Sequence, residues 1–114
     1  MKHVMSWQDL DRRSPTWYVF EGYKHGAGVS MNLSDGIAPG DGPRLHRHPY
    51  EEVFVIYECQ ATYTLGDTTV EVTAGQIVLV EAFTPHKFVN SGEGTLRQTS
   101  IHASSHMITE WLED

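Results

Sequence analysis

With 114 residues, 8 Lys and Arg set against 15 Asp and Glu, and a formal charge of -7, the chain lacks the basic face that nucleic acid or an anionic membrane surface requires. That length suits one domain, residues 1–114, burying roughly 60% to 70% of its unfolded surface without staples. A single cysteine, Cys59, excludes an intrachain disulfide and reads as a small buried hydrophobe.

The segment from Met1 to Asp11 has no apolar run of signal-peptide length, and no later stretch reaches transmembrane length, so the cytoplasm is the expected compartment. Residues 1–15 are expected to form an N-terminal arm, with a short helical turn between Ser6 and Arg13. Trp17 to Phe20 is aromatic and β-branched and predicts a first strand or edge arm, broken at Gly22. A turn follows over Lys24 to Gly28. Val29 to Leu33 then alternates as a half-buried strand through Met31 and Leu33. Asp35 to Pro43, rich in Gly and Pro, reads as a loop that delivers the next stretch.

That stretch carries the chemistry. Alternate side chains of an extended chain leave one face, so His46 and His48 point together, with Arg47 opposed. Pro49 suits a strand end, and the chain is expected to bend there and re-enter the sheet near Glu51. If Phe54 and Ile56 point inward, Glu52 does too and Glu51 faces out. Arg44, in phase with His46 and His48, is a candidate for holding an anionic substrate, beside the commoner solvated or ion-paired role.

Val53 to Tyr57 is continuously apolar and predicts a strand covered on both sides. Gln60–Leu65 and Val70–Thr73 alternate around Gly66-Asp67, a β-hairpin. Gln76 to Val80 reads as another buried strand. Glu81 to Pro85 presents a third imidazole, His86, and Phe83 in that loop is a candidate for the pocket mouth or a subunit contact. Phe88 and Asn90 share the face of His86, so Phe88 is expected to line the interior near it. After the Asn90–Gly94 turn, Leu96 to Ala103 forms the last strand. Its inward set is either Gln98, Ser100 and His102 or Thr99 and Ile101. In the first case Gln98 and His102 become pocket residues. The tail, residues 104–114, carries Trp111 and Leu112 and is expected to dock on its own barrel or a neighbour's.

His46, His48, Glu52 and His86 together make a set of three imidazoles and one carboxylate that suits one divalent ion of iron, manganese, nickel, copper or zinc. With octahedral preference, four protein ligands leave two open positions. A tetrahedral zinc with no fifth ligand would instead be structural. Protonated imidazoles do not bind metal, so the site is expected to empty as the pH falls through about 6 toward 5.

These residues resemble the first cupin motif: Gly40, five residues, His46, Arg47, His48, three residues, Glu52, with Cys59 where the motif's closing Gly is expected. The second motif is also visible, from Gly66 through Gly75, with Thr73 for the usual Pro, to Pro85-His86 and Asn90. The resemblance implies an all-β fold, a small antiparallel double-stranded β-helix (jelly-roll) barrel with a metal inside. It also implies dioxygenases, oxalate-degrading enzymes, or metal-assisted isomerases or cyclases, and similar proteins commonly form homodimers. Departures at Cys59 and Thr73, and at Glu81 and Phe83 where family members often have Pro and Gly, touch turns and the pocket rim.

The functional expectation is a metal-dependent enzyme of oxidoreductase or dioxygenase type acting on a small oxygen-bearing organic molecule. The alternatives are a metal-dependent isomerase, cyclase or lyase, and a noncatalytic, metal-stabilised binding module.

Overall fold

The period-2 pattern of residues 60–73 folds as the sequence predicts. In the computed structural model, which describes residues 3–114, β6 (Gln60–Leu65) and β7 (Thr68–Thr73) pair antiparallel, with Tyr63 opposite Val70 and Leu65 opposite Thr68. Met1 and Lys2 of the expected arm lie outside the described residues. The other strands are β1 (Asp11–Ser14), β2 (Trp17–Phe20), β3 (Ser30–Ile37), β4 (His46–Arg47), β5 (Glu52–Glu58), β8 (Ile77–Val80), β9 (His86–Asn90), β10 (Leu96–His102) and β11 (Glu110–Trp111). They build an all-β molecule of two sheets, ordered β1-β2-β3-β10-β5-β8 and β11-β4-β9-β6-β7, with antiparallel neighbours throughout. Among the described residues no helix is long and apolar enough to cross a membrane.

The sheets close on a core of Phe54, Ile56, Ala61, Tyr63, Val72, Val78, Val80 and Leu96. Residues from both sheets contribute, and burial of each large side chain stabilises by about 1.5–3 kcal/mol. Phe54 and Tyr63 meet edge to face with ring centroids 5.1 Å apart. The core fills one end of the barrel, leaving the other end for polar groups.

Three expectations need correction. Val53–Tyr57 and Gln76–Val80 are covered on one side only: Tyr57, Ile77 and Leu79 are 61%, 68% and 57% exposed. β8 is a sheet edge and β5 its neighbour, and the outward face of the pair has nothing over it. The loop expected over Asp35–Pro43 begins later, because β3 runs to Ile37 and pairs with β10 along its length. Its apolar residues also do not define the interior. Leu33 is buried, yet the alternate set Asn32, Ser34 and Gly36 lines the cavity described below.

Two local features hold the ligand-bearing loop in place. A Cβ at Gly42 would fall 1.8 Å from the Phe88 carbonyl oxygen, so only glycine lets this loop lie against β9. Asn90 anchors the same region, its Nδ2 donating to the Ile37 and Gly94 carbonyls at 2.8 and 2.9 Å. At two sites where the resemblance leads one to expect glycine, Cys59 and Phe83 adopt left-handed backbone, with φ of 73° and 65°. For residues with a Cβ this costs about 1–2 kcal/mol each.

Candidate metal centre

Strand alternation brings the four expected ligands together. His46 on β4 and His48 just beyond it turn inward, 8% and 3% exposed, while Arg47 turns out and grips Glu110 through Nε and Nη2 at 2.7 and 3.2 Å. His46 stands opposite His86 across the β4–β9 ladder. After the bend at Pro49-Tyr50, Glu51 is exposed and Glu52 opens β5 facing inward, 2% exposed. His86, at 1%, opens β9 behind Pro85.

The hydrogen bonds fix which ring nitrogen each imidazole offers. Nδ1 of His46 lies 2.7 Å from the Arg44 carbonyl oxygen, Nδ1 of His48 2.8 Å from that of Ile108, and Nδ1 of His86 2.8 Å from that of Thr84. A carbonyl only accepts, so each Nδ1 carries a proton and each ring turns its Nε2 toward the others. Nε2 of His86 and of His48 lie 2.9 and 3.2 Å from Glu52 Oε1, and one ligand atom from each of the four residues falls within 4.8 Å of all the rest. His48 Nε2 is fully buried yet makes no hydrogen bond. An unpaired buried acceptor of this kind is destabilising, and a cation shared by the four groups satisfies it. The cluster can hold a metal ion.

Electrostatics agree with that chemistry. Burial pushes His46 down from its ordinary 6.5 to about 4, which keeps the ring neutral and able to ligate. Burial acts to raise the Glu52 carboxyl, but its hydrogen bonding, led by His102, outweighs this and holds it well below the usual carboxylate range.

The second oxygen of Glu52 has a different partner. Oε2 lies 2.9 Å from His102 Nε2, whose ring is 3% exposed; Nδ1 of the same ring lies 2.6 Å from the Tyr50 hydroxyl. Since a carboxylate only accepts, His102 donates from Nε2 and receives the Tyr50 proton at Nδ1. Tyr50 also accepts from the Ile108 N–H at 3.2 Å, and burial pushes its hydroxyl up to about 12.

Beside the cluster opens a cavity of about 680 Å³. Phe54, Phe88, Gln98 and His102 line it as the sequence suggests, and Gln98, Ser100 and His102 are the inward set of β10. Arg44 does not. It precedes β4, so strand phase does not govern it, and its exposed guanidinium lies 4.5 Å from the centroid of the Trp111 ring. Nor is Phe83 in the cavity wall; it is 59% exposed.

Sequence reasoning missed Asn32 and Tyr50. Tyr50 stands in phase with His48 and Glu52, a signal masked by the intervening proline bend. The tail docks on its own barrel, with Glu110 and Trp111 paired to Arg47 and His46.

Comparison with known proteins follows the same lines. A family model for the Cupin domain matches residues 35–102. An uncharacterized protein of Methanocaldococcus jannaschii is 36% identical over 90 residues, covering 75% of this chain and 72% of its own. Among solved structures, an uncharacterized conserved protein from Klebsiella pneumoniae with a double-stranded beta-helix domain superposes over 100% of both chains with a TM-score of 0.78 at 19% identity. A variant of Bacillus subtilis oxalate decarboxylase matches with a TM-score of 0.79 at 20% identity, over 93% of this chain but 31% of that one. An oxalate oxidase in complex with the substrate analogue glycolate gives 0.76 at 17%, over 96% of this chain and 63% of that one. At these identities the structural likeness speaks for the fold alone.

Proposed function

The chain belongs to the cupin domain family, and from that premise we propose that it is a metal-dependent enzyme of oxidoreductase or dioxygenase type acting on a small oxygen-bearing organic molecule. His46, His48, Glu52 and His86 hold one divalent transition-metal ion. The observation that carries this reading is the common wiring of the imidazoles, each with Nδ1 committed to a carbonyl and Nε2 directed at Glu52 or its neighbours. Such a set suits iron, manganese, nickel, copper or zinc. When bound, a metal with open positions polarises a substrate oxygen and, if redox-active, exchanges electrons with dioxygen.

The remaining residues bind and orient. Phe54 and Phe88, with ring centroids 5.9 Å apart, give the substrate an apolar seat and exclude water. His102 holds the Glu52 carboxylate from behind, so that Oε1 faces the imidazoles.

Elemental analysis of protein purified without added metal, followed by oxygen uptake across a panel of enols, catechols and flavonols, tests the proposal. The expected result is near one equivalent of iron, manganese, nickel or copper and uptake with at least one class; inertness with every metal would count decisively against it. A metal-assisted isomerase or lyase is the second reading, favoured by the Tyr50–His102 pair, an acid–base couple in direct line with Glu52. Product formed under strictly anaerobic conditions would identify it.

We also propose a homodimer. The uncovered outward face of β5 and β8, with Tyr57, Ile77 and Leu79 exposed, supports one. Light scattering that gives a monomer mass at micromolar concentration would dismiss it.

A further inference from the structure

The β10 side of the cavity carries hydrogen-bond donors that the proposed metal chemistry leaves unused. Gln98 and Ser100, each 3% exposed, face the cavity from alternate positions of the strand. Gln98 Oε1 is occupied, accepting from the Tyr63 hydroxyl at 2.7 Å. Its amide nitrogen therefore turns two N–H groups away from Tyr63, with no acceptor for them in the described hydrogen bonds. Ser100 Oγ accepts from Asn32 Nδ2 at 3.1 Å, and Asn32 is in turn fixed by the Trp17 indole, whose Nε1 donates to Asn32 Oδ1 at 2.8 Å. The hydroxyl proton of Ser100 is thus free to be given away. Both donors face the cavity, and a ligand oxygen that enters it can accept from each of them.

The charge of the wall narrows what that acceptor is. Among the described residues, the buried polar and charged side chains include no Lys and no Arg. Among the described residues the one Lys or Arg lining the cavity is Arg13, exposed, with its guanidinium 6.0 Å from the centroid of the Trp17 ring. Against it stand the carboxylates of Glu21, Asp41 and Glu52. A divalent ion beside Glu52 leaves one positive charge. A neutral or singly ionised ligand is compatible with that; a dianion reverses it beside the buried Glu52 carboxylate, with no buried Lys or Arg among the described residues to offset it, which is unfavourable.

We infer that this cavity selects a neutral or singly ionised hydroxy-carbonyl compound, its oxygens accepting from Gln98 Nε2 and Ser100 Oγ and its apolar part seated on Phe54 and Phe88, in preference to a dicarboxylate. This rests on the metal reading above for the charge beside Glu52 and for the end of the cavity at which the ligand's oxygens converge.

Calorimetric titration with two probes tests it: maltol, a neutral hydroxy-pyranone, and oxalate, a dianion. Both are titrated into zinc-loaded and metal-free protein whose zinc content has been measured beforehand. The zinc-loaded protein is expected to bind maltol at least about tenfold more tightly than oxalate. Gln98→Met and Ser100→Ala are each expected to weaken maltol about tenfold, the loss of one hydrogen bond to a buried donor, with zinc content unchanged. Oxalate binding as tightly as maltol, or maltol affinity untouched in both variants, would overturn the inference. Should one variant fail to fold, the other decides. Should the protein take up no zinc, it is the metal reading that fails, and the metal-free titrations judge the inference by the same criteria.

Discussion

The ligand cluster and the β10 wall are equally buried and equally polar, but they are wired differently. Each ligand imidazole is tied by Nδ1 to a main-chain carbonyl, those of Arg44, Ile108 and Thr84. The wall groups are tied to other side chains: Tyr63 to Gln98, Asn32 to Ser100, Tyr50 to His102. A carbonyl in a ladder or tight loop does not rotate, whereas amides and hydroxyls do. The cluster is therefore aimed in advance, while the wall is free to re-form its bonds around a ligand.

The sharpest way to break this contrast is to remove the anion at its centre. Glu52→Ala leaves buried imidazoles with no carboxylate; bound metal, measured by elemental analysis, is expected to fall from near one equivalent to near zero. Unfolding free energy should drop by about 3–5 kcal/mol, the usual effect of removing one partner of a buried charged pair. Retention of stoichiometric metal would break the assignment.

Next comes the tail. Deleting residues 108–114 removes the carbonyl that orients His48 and the Arg47–Glu110 clamp, and is expected to weaken metal binding about 10- to 100-fold in a chelator competition. Asn32→Ala, a wall change, should alter the same affinity by less than about threefold. Equal effects would erase the distinction between the two regions.

Acid titration sharpens it further. His46 has a folded value of about 4 against an ordinary 6.5, so between those limits the unfolded chain binds the extra proton. Stability of the metal-free protein is thus fully present above pH 6.5 and is lost as the pH falls toward 4. Urea midpoints at pH 7.5, 6 and 5 should decline in that order, and His46→Gln should flatten the decline. The same shift carries this ligand's competition with protons below the window of 6 toward 5 that ordinary histidine chemistry implies.

The smallest effect concerns the backbone beside the cluster. Phe83, left-handed at φ 65° and 59% exposed, donates its N–H to the His48 carbonyl at 2.7 Å. Phe83→Gly keeps that bond while relieving the Cβ, and is expected to stabilise by about 0.5–1 kcal/mol by thermal melting. The same change at Cys59 should yield less, because Cys59 packs against the core.

The ligand set was legible in the sequence because its geometry is local: the phase of His46, His48 and Glu52 follows from strand pleat, and Pro85-His86 sits in a recognisable motif. Arg44 takes the commoner exposed role, not the pocket role that its phase with His46 and His48 suggested, because it precedes β4. The Val53–Tyr57 and Gln76–Val80 strands looked covered because hydrophobicity records what a surface is made of, not whether a partner lies on it. Asn32 was missed for the opposite reason: in a barrel that encloses a polar cavity, the inward face of a strand need not be its apolar one. The face of β10 stayed open in the sequence because Gln98, Ser100 and His102 look like a solvent-facing set until the second sheet packs across them, as Tyr63 of β6 does on Gln98.

Ile108 lies 60 positions downstream of His48, yet it is the residue that points that ring. The cluster therefore matures only once β11 has latched onto β4, after the residues of every other strand have been synthesised. A cation taken up with full affinity then serves as a receipt for finished folding. In a refolding reaction, strand formation followed by circular dichroism should precede high-affinity metal capture, and capture that keeps pace with the first strands would contradict that order.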